Sequence, residues 1–426
     1  MALDDFRKRR LIAPVYLPSL LFTAAEGALL PILPVSAVLY GFSLAEAAIV
    51  TTVLMVGTLI FEVPAARITT KIGERNAILV SSAAGAVLLL LAFFDLGYAA
   101  LVAAALGFGA SHALFGLARH SLLSALVPAQ HRPRSMSLLG GMFRGGLAIG
   151  PVIGSGFIAL FGMQSGYLVA AVMILGAGVS VLTVKAERII TPPSGSDGGI
   201  WQVAKREAPK LATLGVASAI ISAGRTIRLI GLPLLAIQLG IGPAESSFIF
   251  GITGFIDFTL FYLSGIIMDR YGKFWSSVPT LLALGTAYLF SFLVTDLVSF
   301  WVLASVTALA NAASAGINMV LGADLAPPNS RPQFLASFRI LTSGGVALAP
   351  AMISGLTAAV GLAGALATTG LLNFVGAYLF WRYLPIYAPD HKRSTTGPAN
   401  KQVKANDPGT NPDTDPETGP ITSINN

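Results

Sequence analysis

The sequence contains no cysteine, which excludes disulfides, thiolate metal sites and thiol nucleophiles. Charge is also scarce: 11% of the 426 residues are charged, against roughly 25% in soluble domains. That is too little polar side chain to cover a water-facing surface, so lipid must cover most of the chain. The four histidines are scattered and show no paired metal-ligand spacing. The glycine-rich runs are not followed by Lys-Ser or Lys-Thr, so no phosphate-binding loop is present. No cofactor, no metal and no enzymatic or ATP-driven chemistry is therefore expected.

In place of polar residues the chain has apolar ones, 54% of the total. They recur in runs of about 20 residues or longer, the length a helix needs to cross roughly 30 Å of hydrocarbon. Lipid offers backbone groups no partner, so each run must satisfy its own hydrogen bonds as a helix. The runs are continuous in Leu, Ala and Gly and lack the short alternating pattern of a transmembrane barrel. The spacing predicts an all-α membrane protein of twelve transmembrane helices, near 12–40, 45–68, 77–95, 97–127, 135–160, 165–184, 211–239, 243–268, 274–294, 297–326, 334–360 and 362–384.

These spans form two six-helix bundles, 12–184 and 211–384. Residues 185–210, with Pro192, Pro193, Ser194, Gly195, Ser196, Asp197 and Gly198 inside them, read as a flexible joint. A short N-terminus, 1–11, precedes the first bundle, and the Pro/Asn/Asp/Thr-rich tail 385–426 reads as disordered. Arg7, Lys8, Arg9 and Arg10 precede an apolar run too long for a cleaved signal, so the first span is expected to be retained.

Orientation follows from the basic residues, because Lys- and Arg-rich joints stay cytoplasmic. Lys71, Arg75, Arg132, Arg134, Lys185 to Lys210, Arg270, Lys273, Arg331, Arg382, Lys392 and Arg393 all fall on the side of the basic N-terminus. The opposite joints carry Glu46, Asp95, Glu245 and Asp296. A multi-pass protein of the cytoplasmic membrane is expected, with both termini inside. The formal charge of +7 is thereby explained by topology and gives no reason to expect a nucleic-acid partner.

The chain also repeats itself. At an offset of 199, Pro34 falls on Pro233, Gly41 on Gly240, Ala45-Glu46 on Ala244-Glu245 and Gly73 on Gly272. The register continues without a gap through Arg132-Pro133 on Arg331-Pro332, Gly145-Gly146 on Gly344-Gly345, Pro151 on Pro350 and Ser155-Gly156 on Ser354-Gly355. Six spans per repeat preserve orientation, so the halves are parallel repeats about an axis along the membrane normal. Two such bundles around a cleft can rock to expose it to either side.

The joint after the eighth span, Gly265-Ile266-Ile267-Met268-Asp269-Arg270-Tyr271-Gly272-Lys273, resembles the cytoplasmic loop motif of the major facilitator superfamily. The likeness extends over about 10–385 and implies that the acid and base of this loop latch a cytoplasmic gate. On that resemblance Asp269, Arg270 and Gly272 are gating residues, as are Lys71, Gly73 and Arg75 in the first half. There Ala66 and Thr70 stand where the family has Gly and Asp. In the fifth span, Gly146 through Gly150-Pro151 to Gly154 and Gly156 resembles the Gly-Pro motif of proton-coupled drug exporters of that superfamily. Small residues permit close helix approach and Pro bends a helix, so the stretch reads as either a pivot or plain packing. The Arg those exporters carry four residues before the Gly of the fourth span is absent, with Ala105 before Gly109.

Ionisable residues deep in a span face a cavity or a partner. Glu26 lies roughly 21 Å into the first span and Asp257 roughly 16 Å from the inner end of the eighth, both near mid-membrane. They are the candidate proton carriers. Arg225 is the repeat-mate of Glu26, so the two could pair across the cleft. Arg119 and Arg144 match in depth on neighbouring spans and could form one basic patch. Arg228 shares a helical face with Arg225. These four arginines would bind an anion, or alternatively neutralise Glu26, Asp257 and helix ends. His112 could relay protons or simply pack. Asn311, Asn318 and Asn373 could bond a solute or bridge helices. Glu62, near the inner end of the second span, reads as a gate or helix-end contact.

The expected function is a monomeric secondary transporter of a small solute, coupled to protons and exporting small organic or amphipathic compounds. Proton-driven uptake of an anionic metabolite is the second reading, carried by the intramembrane arginines. A non-transporting sensor or scaffold on the same fold is the third.

Overall fold

A computed structural model describes residues 12–127, 132–183 and 200–389. The first eleven residues, most of the 185–210 joint and the tail beyond residue 389 lie outside the described residues. So do Pro128 and the side chains of Arg132 and Arg134.

Every described element is helical. The first half comprises α1 (Leu17–Leu39), α2 (Leu44–Ile72), α3 (Glu74–Phe93), α4 (Tyr98–Leu126), α5 (Arg132–Phe161) and α6 (Ser165–Ser180). The second comprises α7 (Val216–Gln238), α8 (Pro243–Tyr271), α9 (Lys273–Leu289), α10 in two pieces (Leu297–Ala313 and Ile317–Leu325), α11 (331–360) and α12 (362–387). Among the described residues, ten helices are long and apolar enough to cross a bilayer, the last of them running through Gly361. Gly361 has φ 75° and ψ 167°, which no helix tolerates, so this last one is two helices. The shorter α9 completes the twelve, continued by the turn Ser291–Leu293.

The internal repeat holds at the level of single residues. Shifted by 199, α1, α2, α4 and α5 begin and end where α7, α8, α10 and α11 begin and end. The rare π-turn before α1, Ile12–Tyr16, returns before α7 as Leu211–Gly215. Gly162 (φ 82°) and Gly361 (φ 75°) are repeat-mates at the α5–α6 and α11–α12 breaks, a conformation L side chains avoid. Local capping is less conserved between halves. A Ser43–Glu46 capping box starts α2, whereas α8 opens on Pro243 after Gly242.

The repeat fails at one helix. It makes α10 a straight copy of α4, yet α10 is broken at Ser314–Gly316. Ser314 and Gly316 stand where α4 has Phe115 and Leu117, so an aromatic and a good helix former give way to two weaker ones. The joint up to Lys210, read as flexible, is helical over Ile200–Arg206 and Ala208–Lys210, where described. Val203 is buried against the second half and Arg206 Nη2 donates to Ser330 Oγ at 2.8 Å.

Close helix approach places the site. A Cβ on Gly150 would lie 1.9 Å from Ala24 O, and one on Gly146 2.0 Å from Thr23 Oγ1, so α5 lies directly against α1. The second half repeats this at Gly345, whose Cβ would lie 2.3 Å from Ala219 O of α7. Between the halves, α5 packs on α8 and α2 on α11. A Cβ on Gly251 of α8 would lie 2.3 Å from Val152 Cγ2, and Ser354 Oγ of α11 donates to Ala45 O of α2 at 2.8 Å.

Candidate functional site

Helices α1, α5, α7, α8 and α10 converge on a cavity of about 250 Å³ between the halves. Its polar lining is Arg144, Arg225, Arg228, Asp257 and Asn311, five of the residues singled out from sequence. Arg144 of α5 reaches across to Asp257 of α8. Its Nη1 donates to both carboxylate oxygens, at 2.8 and 2.9 Å, and its guanidinium lies 4.9 Å from the centre of the Phe261 ring. Charge-assisted bonds of this kind are the strong ones, and a half-closed cavity screens them little.

Arg225 and Arg228 project from one face of α7. Arg225 Nη2 donates to the carbonyl oxygen of Ser314 and, at 2.8 Å, to Ser314 Oγ. That carbonyl, at the break of α10, also accepts the backbone N–H of Ile317 at 3.2 Å. Arg228 Nη2 donates to Thr253 Oγ1 of α8 at 3.1 Å. Each arginine keeps a buried Nε without a partner, and so does the buried Oδ1 of Asn311. Three guanidiniums thus face one carboxylate across this cavity. Ser314, Thr253 and Phe261 were not legible as site residues. The one available signal was the departure of Ser314 and Gly316 from the pattern of the first half.

Glu26 is placed differently from its repeat-mate. Its Oε2 lies 3.6 Å from His112 Nε2, between α1 and α4, while its neighbour Gly27 lines the cavity. Phe22 stacks at 3.9 Å on Phe115, and the buried Arg119 lies 5.7 Å from Phe115 and 6.0 Å from Phe143. The pairing of Glu26 with Arg225 therefore does not form here: each has a nearer partner in its own half. Nor do Arg119 and Arg144 act as one patch, since Arg119 is held among aromatic rings and Arg144 by Asp257. Asn318 bridges helices, its Nδ2 donating to Ser222 Oγ at 2.9 Å, and Asn373 Nδ2 bonds within α12 to Thr369 O. Glu62 is exposed on α2.

The gating candidates Lys71, Gly73 and Arg75 sit at the α2–α3 turn, and Asp269, Arg270 and Gly272 at α8–α9. Gly73 and Gly272 adopt φ 84° and 93°. The observed ties from these turns use the residues just beyond the two glycines. Ser121 Oγ of α4 donates to Glu74 Oε1 at 2.8 Å, and Lys273 Nζ pairs with Asp324 Oδ2 of α10 at 2.7 Å. Glu74 and Lys273 are repeat-mates of opposite charge. Arg270 lies over the ring of the adjoining Tyr271 at 5.6 Å. Gly150, Pro151 and Gly154 form the seam of α5 against α1 described above.

Two parallel six-helix halves with charged groups in a cavity between them define a multi-pass membrane carrier of small solutes, not an enzyme. The chain belongs to the Major Facilitator Superfamily, whose family model matches residues 15–217 and 214–412. It is a secondary transporter of that superfamily. No curated protein matches the sequence. Among solved structures, a POT family transporter in complex with a thioalcohol-conjugated peptide superposes with a TM-score of 0.74 at 12% identity, over 89% of this chain and 97% of the other. A D-xylose-proton symporter gives 0.68 at 16%, over 89% and 98%. The human organic anion transporter MFSD10 gives 0.61 at 17%, over 87% and 99%. At such identities the likeness is one of fold.

Proposed function

We propose that this transporter carries small organic anions across a cytoplasmic membrane by alternating access, with a proton moving alongside. The observation that carries this reading is the surplus of positive charge in the central cavity, three guanidiniums against the single carboxylate of Asp257. An anion there gains charge-assisted bonds to arginines that are already desolvated, whereas a cation would meet them unshielded. The cavity of about 250 Å³ falls below the roughly 300–1,000 Å³ of drug-sized pockets, which favours small metabolites.

Coupling follows from the Arg144–Asp257 pair. An anionic group that draws Arg144 away leaves Asp257 buried without a counter-charge, a state that protonation relieves. When the solute leaves, Arg144 returns and the proton is released. Glu26 beside His112 supplies a second carboxylate for proton traffic. The basic joints support a cytoplasmic position for both termini, and one chain contributes both halves, which supports a monomer.

Export of amphipathic compounds by antiport is the second reading, and the Gly150-Pro151 stretch favours it. One experiment separates the two. Proteoliposomes with an enclosed pH dye are given organic acids, cationic drugs and sugars in turn. Proton movement in the direction of organic acids supports anion symport. Movement opposite to cationic compounds, with none for acids, replaces it with export. Ligand binding without flux of any solute replaces both with sensing.

A further inference from the structure

The anion reading leaves one lining group without a task. Asn311 is only 8% exposed, its Oδ1 is buried without a partner, and it shares the cavity with Arg225 and Arg228. A buried amide oxygen left unsatisfied costs free energy unless something in the cavity donates to it. The Oδ1 atoms of Asn318 and Asn373 are likewise buried without a partner, but neither residue lines the cavity, and their Nδ2 groups donate to Ser222 Oγ and Thr369 O. Asn311 lies on the first piece of α10 (Leu297–Ala313), three residues before Ser314, whose carbonyl holds Arg225. The position that accepts from the solute and the arginine that would bind its anionic end are therefore tied to one point of the fold.

Resting on the anion reading, we propose that the cavity selects small hydroxylated carboxylates: the carboxylate is bound by the free donors of Arg225 and Arg228, and the hydroxyl donates to Asn311 Oδ1. The free donors are the guanidinium N–H groups that Ser314 and Thr253 leave unused. An ammonium could also donate to Asn311. It would bring positive charge beside three guanidiniums whose only counter-charge, Asp257, is already held by Arg144, so the neutral hydroxyl is preferred. Sites built around a buried hydrogen-bonding group discriminate strongly against analogues lacking it, because the group is then left unpaired.

The test is binding by the purified full chain in lipid nanodiscs of three probes of matched skeleton: 2-hydroxypropanoate, propanoate and 2-aminopropanoate. The hydroxy acid is expected to bind at least about tenfold tighter than the other two. Asn311→Leu should collapse that ratio to near one while leaving propanoate affinity within about threefold. Arg228→Gln should weaken all three carboxylates alike. Equal binding of the hydroxy acid and propanoate by the unaltered protein overturns the assignment, as does a ratio that survives Asn311→Leu. Either result leaves the anion reading standing. Failure of the unaltered, folded protein to bind any carboxylate overturns the anion reading itself.

Discussion

Arg144 and Asp257 join the two halves through a single guanidinium nitrogen that reaches both carboxylate oxygens, at 2.8 and 2.9 Å. Asp257→Asn leaves Arg144 in the cavity without its counter-charge. The side chains are 16% and 15% exposed, so the loss should sit near the low end for a broken buried pair, about 3 kcal/mol. Thermal unfolding in detergent should show this, and proton-driven flux should disappear. Arg144→Met combined with Asp257→Leu should regain most of the stability and none of the flux. A single variant as stable and active as the parent would remove the pair from the mechanism.

The fifth-span glycines give a contrast within one helix. Gly150→Ala places a methyl group 1.9 Å from Ala24 O, and α1 must move to admit it. The expected cost is about 1–3 kcal/mol, with transport impaired by the displaced seam. Gly156 has open space at its Cβ position, and Gly156→Ala should change stability by no more than about 0.5 kcal/mol. Equal unfolding temperatures for the two variants would contradict the packing described here.

Glu26 and His112 lie 3.6 Å apart beside the cavity. Glu26→Gln keeps the volume and removes the titrating group. Solute exchange down its own gradient should persist in proteoliposomes, while accumulation driven by a pH gradient falls at least about tenfold, the usual scale for losing an acid–base group. Undiminished accumulation would assign the proton to Asp257 alone.

At the turn after α1, Tyr40 donates its hydroxyl proton to Asp95. Burial first, and then the Asp95 carboxylate, push the phenol up to about 12. The folded state thus favours the protonated form. Its contribution is complete below the unfolded tyrosine pKa of about 10 and is lost as pH rises through about 12. The difference in melting temperature between the parent and Tyr40→Phe should be constant up to about pH 10 and shrink above it. A difference that grows with alkalinity would reverse the sign of this link.

Much of the molecule was legible because it depends on distance along the chain. Span lengths, the 199-residue repeat and the depth of Glu26, Asp257 and the arginines are one-dimensional quantities, and hydrocarbon thickness converts them directly into helices and levels. The family resemblance lay in local strings such as Asp269-Arg270-Tyr271-Gly272-Lys273. What depth leaves open is the direction in which each side chain points around its helix, and which neighbour it meets. The close seams at Gly146, Gly150 and Gly251 set that rotation, turning Arg144 onto Asp257 and leaving Glu26 with His112 instead of Arg225. The break of α10 and the hydrogen bond from Arg225 to its Ser314 carbonyl are likewise tertiary. Sequence thus determined the helices, their levels and the charges within them, and packing decided the partners, because burial makes the energy of a charge depend on contacts a few ångströms away.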